Sequence, residues 1–184
     1  MRATIPQWRN DLTLNTWAME QDGPSFWRHA SIGFYYLRVR DYQGARDALI
    51  AALRIRESSW IWNLLGVAEV ELNRLVEARK AFRRALDLGT DDARSRWYLA
   101  DVERRLGSPA VAADILEEGL RNISPGDRVR WKTAQTHYEL ALSYIALGRT
   151  DDAAAALTVA LSLSHKPADR EHFERTLRSI APNR

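Results

Sequence analysis

Small side chains recur along this chain in three parallel series that share one spacing. Each series steps by 33, 34 and then 41 residues. The series are Gly33, Gly66, Ala100, Ala141; Ala45, Ala78, Ala112, Ala153; and Ala52, Ala85, Gly119, Ala160. Independent substitutions would not keep three series in step, so the chain is predicted to contain four copies of one structural unit. A period of this length is typical of stacked helical repeats, in which each unit buries its apolar face against its neighbours.

The second copy carries the fullest version of the pattern. Trp62, Leu65 and Gly66 form a W-x2-L-G arrangement, and Ala78 and Phe82 follow as A-x3-F. This pattern resembles the tetratricopeptide repeat (TPR), a pair of antiparallel helices. The small residues let two helix axes approach, while the large residues fill the space beside them.

The resemblance implies an all-α fold, a right-handed α-solenoid of helix-turn-helix (TPR-like) repeats with a C-terminal capping helix. We expect four repeats over 26–167, with the bounds 26–58, 59–92, 93–126 and 134–167. Seven extra residues before the fourth repeat are almost two helical turns, so its first helix is expected to extend from about 125. Ser124 as N-cap, followed by Pro125 and Asp127, indicates this start.

Both ends of the chain lie outside the repeats. Phe173, Leu177 and Ile180 recur at helical spacing among charged residues, which predicts an amphipathic capping helix and tail over 168–184. Residues 1–25 show no clear repeat and are interpreted as an N-terminal arm or short helix. Their large apolar residues include Trp8, Leu12, Leu14 and Trp17.

Composition excludes several classes of protein. The chain has no cysteine, which removes disulfides, thiolate metal sites and thiol nucleophiles. No apolar run approaches the roughly 18 residues needed to span a bilayer, and residues 1–8 lack the apolar stretch of a signal peptide. We therefore expect a soluble, cytoplasmic protein without direct membrane insertion.

Charge is spread along the chain rather than concentrated. Of the net charge of +3, residues 26–58 carry +3 from six arginines and three acidic residues, and 127–133 carry +2. Every other segment lies between −1 and +1. No dense basic face of the kind that binds phosphates is predicted, so nucleic acid is not an expected partner.

No catalytic, cofactor or metal site is predicted. The sequence has no Gly-rich phosphate loop, no G-x-S-x-G elbow and no H-E-x-x-H motif. His29 and His137 fall at the position that Trp62 occupies in the second repeat, so inter-helix packing is their expected role. The chain is therefore not predicted to be an enzyme.

A second aromatic stripe points to a binding surface. Trp60 and Trp62 lie about 200° apart around a helix, so only one of them can face the core. Trp62 takes the core position, and in the TPR family the opposite stripe lines a concave groove that binds partner segments. Carried through four repeats, the register predicts these groove residues: Trp27, Phe34, Trp60, Asn63, Val67, Arg94, Trp97, Asp101, Arg104, Trp131, Tyr138 and Leu142. Trp60, Trp97 and Tyr138 are expected to dominate binding.

The resemblance implies a non-catalytic protein–protein interaction module that acts as an adaptor, scaffold or assembly factor. The alternative is a permanent structural subunit of a larger complex, membrane-associated or not, docked through the aromatic surface and the N-terminal arm. Either the arm or the capping helix could instead fill the groove. The family's clamp for a C-terminal carboxylate is not expected, because Ala30 and Phe34 occupy its Lys and Asn positions. Partner identity and oligomeric state stay open.

Overall fold

The computed structural model describes residues 25–89, 93–122 and 130–180. Across these ranges the chain forms nine helices and no strand. The helices are α1 (Phe26–Arg38), α2 (Tyr42–Ile55), α3 (Ser59–Glu71), α4 (Leu75–Asp87), α5 (Ala93–Arg105), α6 (Pro109–Arg121), α7 (Arg130–Ala146), α8 (Thr150–Leu163) and α9 (Pro167–Ile180). The predicted all-α class is confirmed.

The chain divides into two compact units, Met1–Thr90 and Asp91–Arg184, here called unit 1 and unit 2. In unit 1, α1 packs against α2, α2 against α3, and α3 against α4. In unit 2, α6 packs against both α5 and α7, and α8 packs against both α7 and α9. The predicted N-terminal arm, the capping residues Ser124, Pro125 and Asp127, and the tail beyond 180 lie outside the described residues.

Close helix packing in unit 1 explains the small residues of the repeat pattern. Ala45, Ala52, Ala78 and Ala85 are fully buried. At Gly66 on α3, a Cβ atom would lie 2.5 Å from the Phe82 ring of α4, closer than van der Waals contact allows. Phe82 is itself fully buried, so its ring fills the space that a side chain at Gly66 would occupy.

The same turn ends the first helix of every hairpin. One residue per turn has a positive φ: 61° at Arg40, 56° at Asn73, 81° at Gly107 and 72° at Gly148. The next backbone N–H bonds back to the carbonyl five residues earlier, at 2.8–2.9 Å, in four pairs: Asp41 to Tyr36, Arg74 to Glu69, Ser108 to Glu103 and Arg149 to Tyr144. This is the Schellman termination, which favours Gly or Asn at the left-handed position. Arg40 adopts the same conformation without glycine's freedom, because the hairpin geometry requires it.

A buried carboxylate joins the first two hairpins. Glu69 of α3 is almost fully buried, and its Oε1 accepts a hydrogen bond of 2.9 Å from Nε of Arg46 on α2. Arg74 lies 4.0 Å from the other carboxylate oxygen. The contact is therefore ionic, and its carboxylate is largely closed to water. The fourth hairpin has Tyr144 at the repeat position of Glu69.

A pH effect is expected at Tyr144 of α7. Burial and the hydrogen bond of 2.7 Å that its hydroxyl donates to Glu117 Oε1 raise the pKa of Tyr144 to about 12. The folded state thus keeps this proton more tightly than the unfolded chain, so its stabilising effect is complete below pH 10 and lost between pH 10 and about 12. Urea unfolding across this range should show a steeper loss of stability for the native chain than for Tyr144→Phe. Equal pH slopes would contradict the assignment.

Candidate functional site

A cleft of about 550 Å³ opens in unit 2 between α5, α7 and the start of α9. Its volume lies within the range of natural ligand pockets. Its lining residues are Trp97, Tyr98, Asp101 and Arg104 of α5, Gln135, Tyr138, Glu139 and Leu142 of α7, and Lys166, Asp169 and His172 at α9. Five of the predicted groove residues therefore meet in one cleft: Trp97, Asp101, Arg104, Tyr138 and Leu142.

An ion pair shared by two helices forms the polar part of the cleft. Arg104 Nη2 lies 3.0 Å from Glu139 Oε2 and 3.2 Å from Asp101 Oδ1. Its Nη1 donates to the backbone carbonyl of Glu139 at 3.3 Å. Burial raises the pKa of Glu139, and the charge of Arg104 opposes that rise. Arg104 is thus held by its own chain, which makes it a fixed structural cation rather than a free receptor for an acidic partner.

The two aromatic residues that α5 contributes to the cleft differ in how far they are exposed to solvent. Trp97 is half-buried against the core of unit 2, and its indole Nε1 donates a hydrogen bond of 2.8 Å to Thr136 Oγ1. Tyr98, its neighbour on α5, is 40% exposed. Trp97 therefore stabilises the contact between α5 and α7 as well as lining the cleft. Tyr98 presents the more accessible ring.

The capping helix contacts Tyr138 through both its ring and its hydroxyl. This residue is only 7% exposed. Its ring stacks on Phe173 of α9, with centroids 4.7 Å apart. Its hydroxyl lies 2.7 Å from His172 Nε2. The sequence assigned this ring to a partner, whereas α9 covers it because the terminal hairpin needs an apolar cover.

The remaining predicted groove residues lie elsewhere. In unit 1, Trp27, Phe34 and Trp60 are 64%, 45% and 47% exposed, while Asn63 and Val67 are half-buried on α3. Arg94 is exposed on α5 but does not line the cleft. The side chain of Trp131 lies outside the described residues.

Sequence reasoning missed six lining residues: Tyr98, Gln135, Glu139, Lys166, Asp169 and His172. Gln135 and Glu139 are one turn apart on α7 and joined by a hydrogen bond of 3.0 Å, so helical spacing from Tyr138 and Leu142 could have found them. The three residues at α9 follow only from how the capping helix docks, which the repeat register does not specify.

Histidines and acidic residues form no metal-binding cluster in the part of the chain that the structure describes. Within those ranges, no three His, Asp or Glu side chains are placed to hold a metal ion. Burial lowers the pKa of both His29 and His137, which favours their neutral, packed form. Among the described residues, no helix combines the length and apolarity needed to cross a membrane. The compartment stays a prediction.

Comparison with known proteins identifies the repeats. The tetratricopeptide repeat matches residues 33–93, 63–127 and 134–166, which is more than half of the chain. The chain belongs to the tetratricopeptide repeat family. Such proteins are in general non-catalytic protein-interaction modules, and this TPR protein is one of them.

Relatives extend the comparison. Superkiller protein 3 of Schizosaccharomyces pombe is 33% identical over 138 residues, which cover 74% of this chain but 10% of that protein. The crystal structure of MamA matches with a TM-score of 0.74 and 19% identity, over 85% of this chain and 88% of that one. That of YrrB, described as a TPR protein with an unusual peptide-binding site, matches with a TM-score of 0.73 and 19% identity, over 89% and 81%. These likenesses confirm the helical-repeat solenoid class.

Proposed function

We propose that this TPR protein acts as an adaptor or scaffold that holds an extended or helical segment of a partner protein in the unit 2 cleft. The observation that carries the proposal is the cleft itself, in which the accessible Tyr98 ring and Leu142 share the lining with a fixed pair of charges. Aromatic and apolar side chains combined with oriented polar groups are typical of a ligand site. A peptide-binding site in the similar YrrB fold supports the same reading.

The fixed ion pair of Arg104 and Glu139 favours the binding of selected peptide segments over unselective binding. Arg104 and Glu139 are both mostly shielded from solvent, and each is oriented by further hydrogen bonds, to Asp101 and to Gln135. Because the charges are already paired, a bound segment gains little by displacing them and is positioned by the space that they leave. Affinity is then expected to depend mainly on the aromatic wall.

Replacing Tyr98 with alanine should weaken peptide capture about tenfold or more. The probe is a phage library of random dodecapeptides selected on the full chain, with affinities of the selected peptides measured in solution. Val111→Ala is the matched control, because Val111 is an exposed apolar residue of α6 in the same unit that does not line the cleft. Selected peptides that bind Tyr98→Ala and the native chain equally would place capture outside the cleft.

A permanent structural subunit is the second candidate, favoured by the exposed Trp27, Phe34 and Trp60 of unit 1. An obligate subunit should be poorly soluble or unstable alone, whereas an adaptor should be a well-behaved monomer. Analytical ultracentrifugation of the isolated chain, from micromolar concentration upward, distinguishes the two.

A further inference from the structure

We propose that α9 is a clamp that closes on a segment bound in the cleft, so that α9 docking and cleft occupancy stabilise each other. The clamp rests on the cleft function proposed above and adds a means of controlling it. Two features of α9 support this role: its attachment to the rest of unit 2 is slight, and its first turns form part of the cleft.

The apolar attachment of α9 depends on one side chain. Within the described chain, Phe173 is the only buried residue of α9, whereas α8 buries four. Its ring stacks on Tyr138 of α7, with centroids 4.7 Å apart. Leu177 and Ile180 add partly buried contacts with the core of unit 2. A terminal helix docked by so little apolar surface opens at a lower free energy than the helices beneath it.

The polar contacts of α9 distinguish internal pairs from docking contacts. Arg175 pairs with Glu171 at 3.0 Å, one turn away on the same helix, so this pair persists when α9 undocks. Arg170 Nη1 donates to the backbone carbonyls of Leu161 at 2.6 Å and of Ser164 at 3.3 Å, at the end of α8. Arg170 therefore stabilises the docked position, and it does so without lining the cleft.

Residues 164–166 join α8 to α9 without helical structure and are the hinge of the clamp. Ser164 is only 4% exposed, and among the described residues its hydroxyl has no hydrogen-bond partner. A buried hydroxyl without a partner destabilises the state that buries it. Opening at the hinge exposes this hydroxyl to water, so Ser164 opposes the docking that Phe173 and Arg170 favour.

The cleft senses the position of α9 directly. Asp169 and His172 of α9 line the cleft, and His172 Nε2 lies 2.7 Å from the hydroxyl of Tyr138, which lines it from α7. A segment in the cleft therefore meets one more wall when α9 is docked. A ligand that binds one state better shifts the equilibrium toward that state, and the coupling is reciprocal.

Hydrogen exchange of the full chain, with and without peptide, tests the clamp. The probes are cleft peptides, defined as selected dodecapeptides whose capture falls with Tyr98→Ala. At a free peptide concentration about ten times the Kd, protection of 167–180 should rise about tenfold, because the peptide binds the docked state. Protection of α2 in unit 1 should stay unchanged.

Variants outside the cleft lining test the attachment of α9 in the free protein. Arg170→Ala should lower protection of 167–180 about tenfold, and Ser164→Ala should raise it about fivefold. Arg175→Ala is the matched control, because it removes an arginine that pairs within α9. It should stay within about twofold of the native protection.

Two results would overturn the clamp and leave the cleft function standing. One is capture of cleft peptides that leaves protection of 167–180 unchanged. The other is an equal loss of protection over 130–163 and 167–180 in Arg170→Ala, which would show that α9 does not open by itself. A selection that yields no Tyr98-dependent peptide is different, because it would contradict the cleft function and the clamp together.

Discussion

Replacing Phe173 with alanine is expected to destabilise unit 2 by about 3 kcal/mol, near the lower end of the range for a buried aromatic residue. Phe173 is the one fully buried residue of α9 within the described chain, and it stacks on Tyr138. Its loss removes the one fully buried side chain that docks this terminal helix and leaves the partly buried Leu177 and Ile180, so α9 should open locally before the rest of the unit. Hydrogen exchange followed by mass spectrometry should show loss of protection concentrated in 167–180.

The matched control is Glu174→Ala, which changes an exposed neighbour on the same helix. It should leave exchange nearly unchanged. Since α9 supplies Asp169 and His172 to the cleft and Lys166 directly precedes it, Phe173→Ala should also abolish capture of cleft peptides. Equal loss of protection throughout α7, α8 and α9 would contradict local opening and show that the unit unfolds as one body.

Replacing Gly66 with leucine is expected to destabilise unit 1 by about 3 kcal/mol through overpacking. A Cβ at this position already lies 2.5–2.7 Å from three atoms of the Phe82 ring, and a larger side chain has no free volume to enter. For a chain of this length the melting temperature should fall by roughly 6–12 °C. Thermal unfolding followed by circular dichroism measures this shift.

Two comparisons make the Gly66 test specific. Ala154→Leu adds the same side chain at a half-buried position outside the small-residue series, and should change the melting temperature little. Phe82→Ala removes the ring that Gly66→Leu would strike. The double variant should therefore lose less stability than the sum of the losses of the two single variants. Strict additivity would mean that the clash is relieved elsewhere and that Gly66 does not mark the closest approach of α3 and α4.

Hard steric constraints explain how much of the fold could be predicted from sequence. Gly66 must be small because Phe82 fills its space. The same requirement recurs in each repeat, so the sequence shows it as a periodic series of small residues. Gly107 ends α5 in the left-handed conformation, with a φ of 81°, and a glycine at a helix end is a signal of this kind that is visible in the sequence. Arg40 in the equivalent turn gave no such signal, because tertiary context imposed the conformation against residue preference.

The candidate site was less predictable, because side chains compete for the same surface. Helical register placed Trp97 and Tyr138 on one stripe. It could not show that Trp97 is hydrogen-bonded to Thr136 and Tyr138 to His172 of α9. It also placed Arg104 in the groove without showing that Glu139 pairs with its guanidinium. Such pairings depend on which helices meet in three dimensions, and a repeat period gives only the order of the helices.

The buried ion pairs fix the sequence in which the repeats can be joined. Small packing positions are interchangeable, so shape alone would let the fourth hairpin follow the first. In that permuted chain Glu139 would meet Leu37, which occupies the position of Arg104 in the first hairpin. A carboxylate buried without its cation costs several kcal/mol. The order of the hairpins is thus specified by charge, and a permuted protein would need Glu139 and Arg104 moved or removed together.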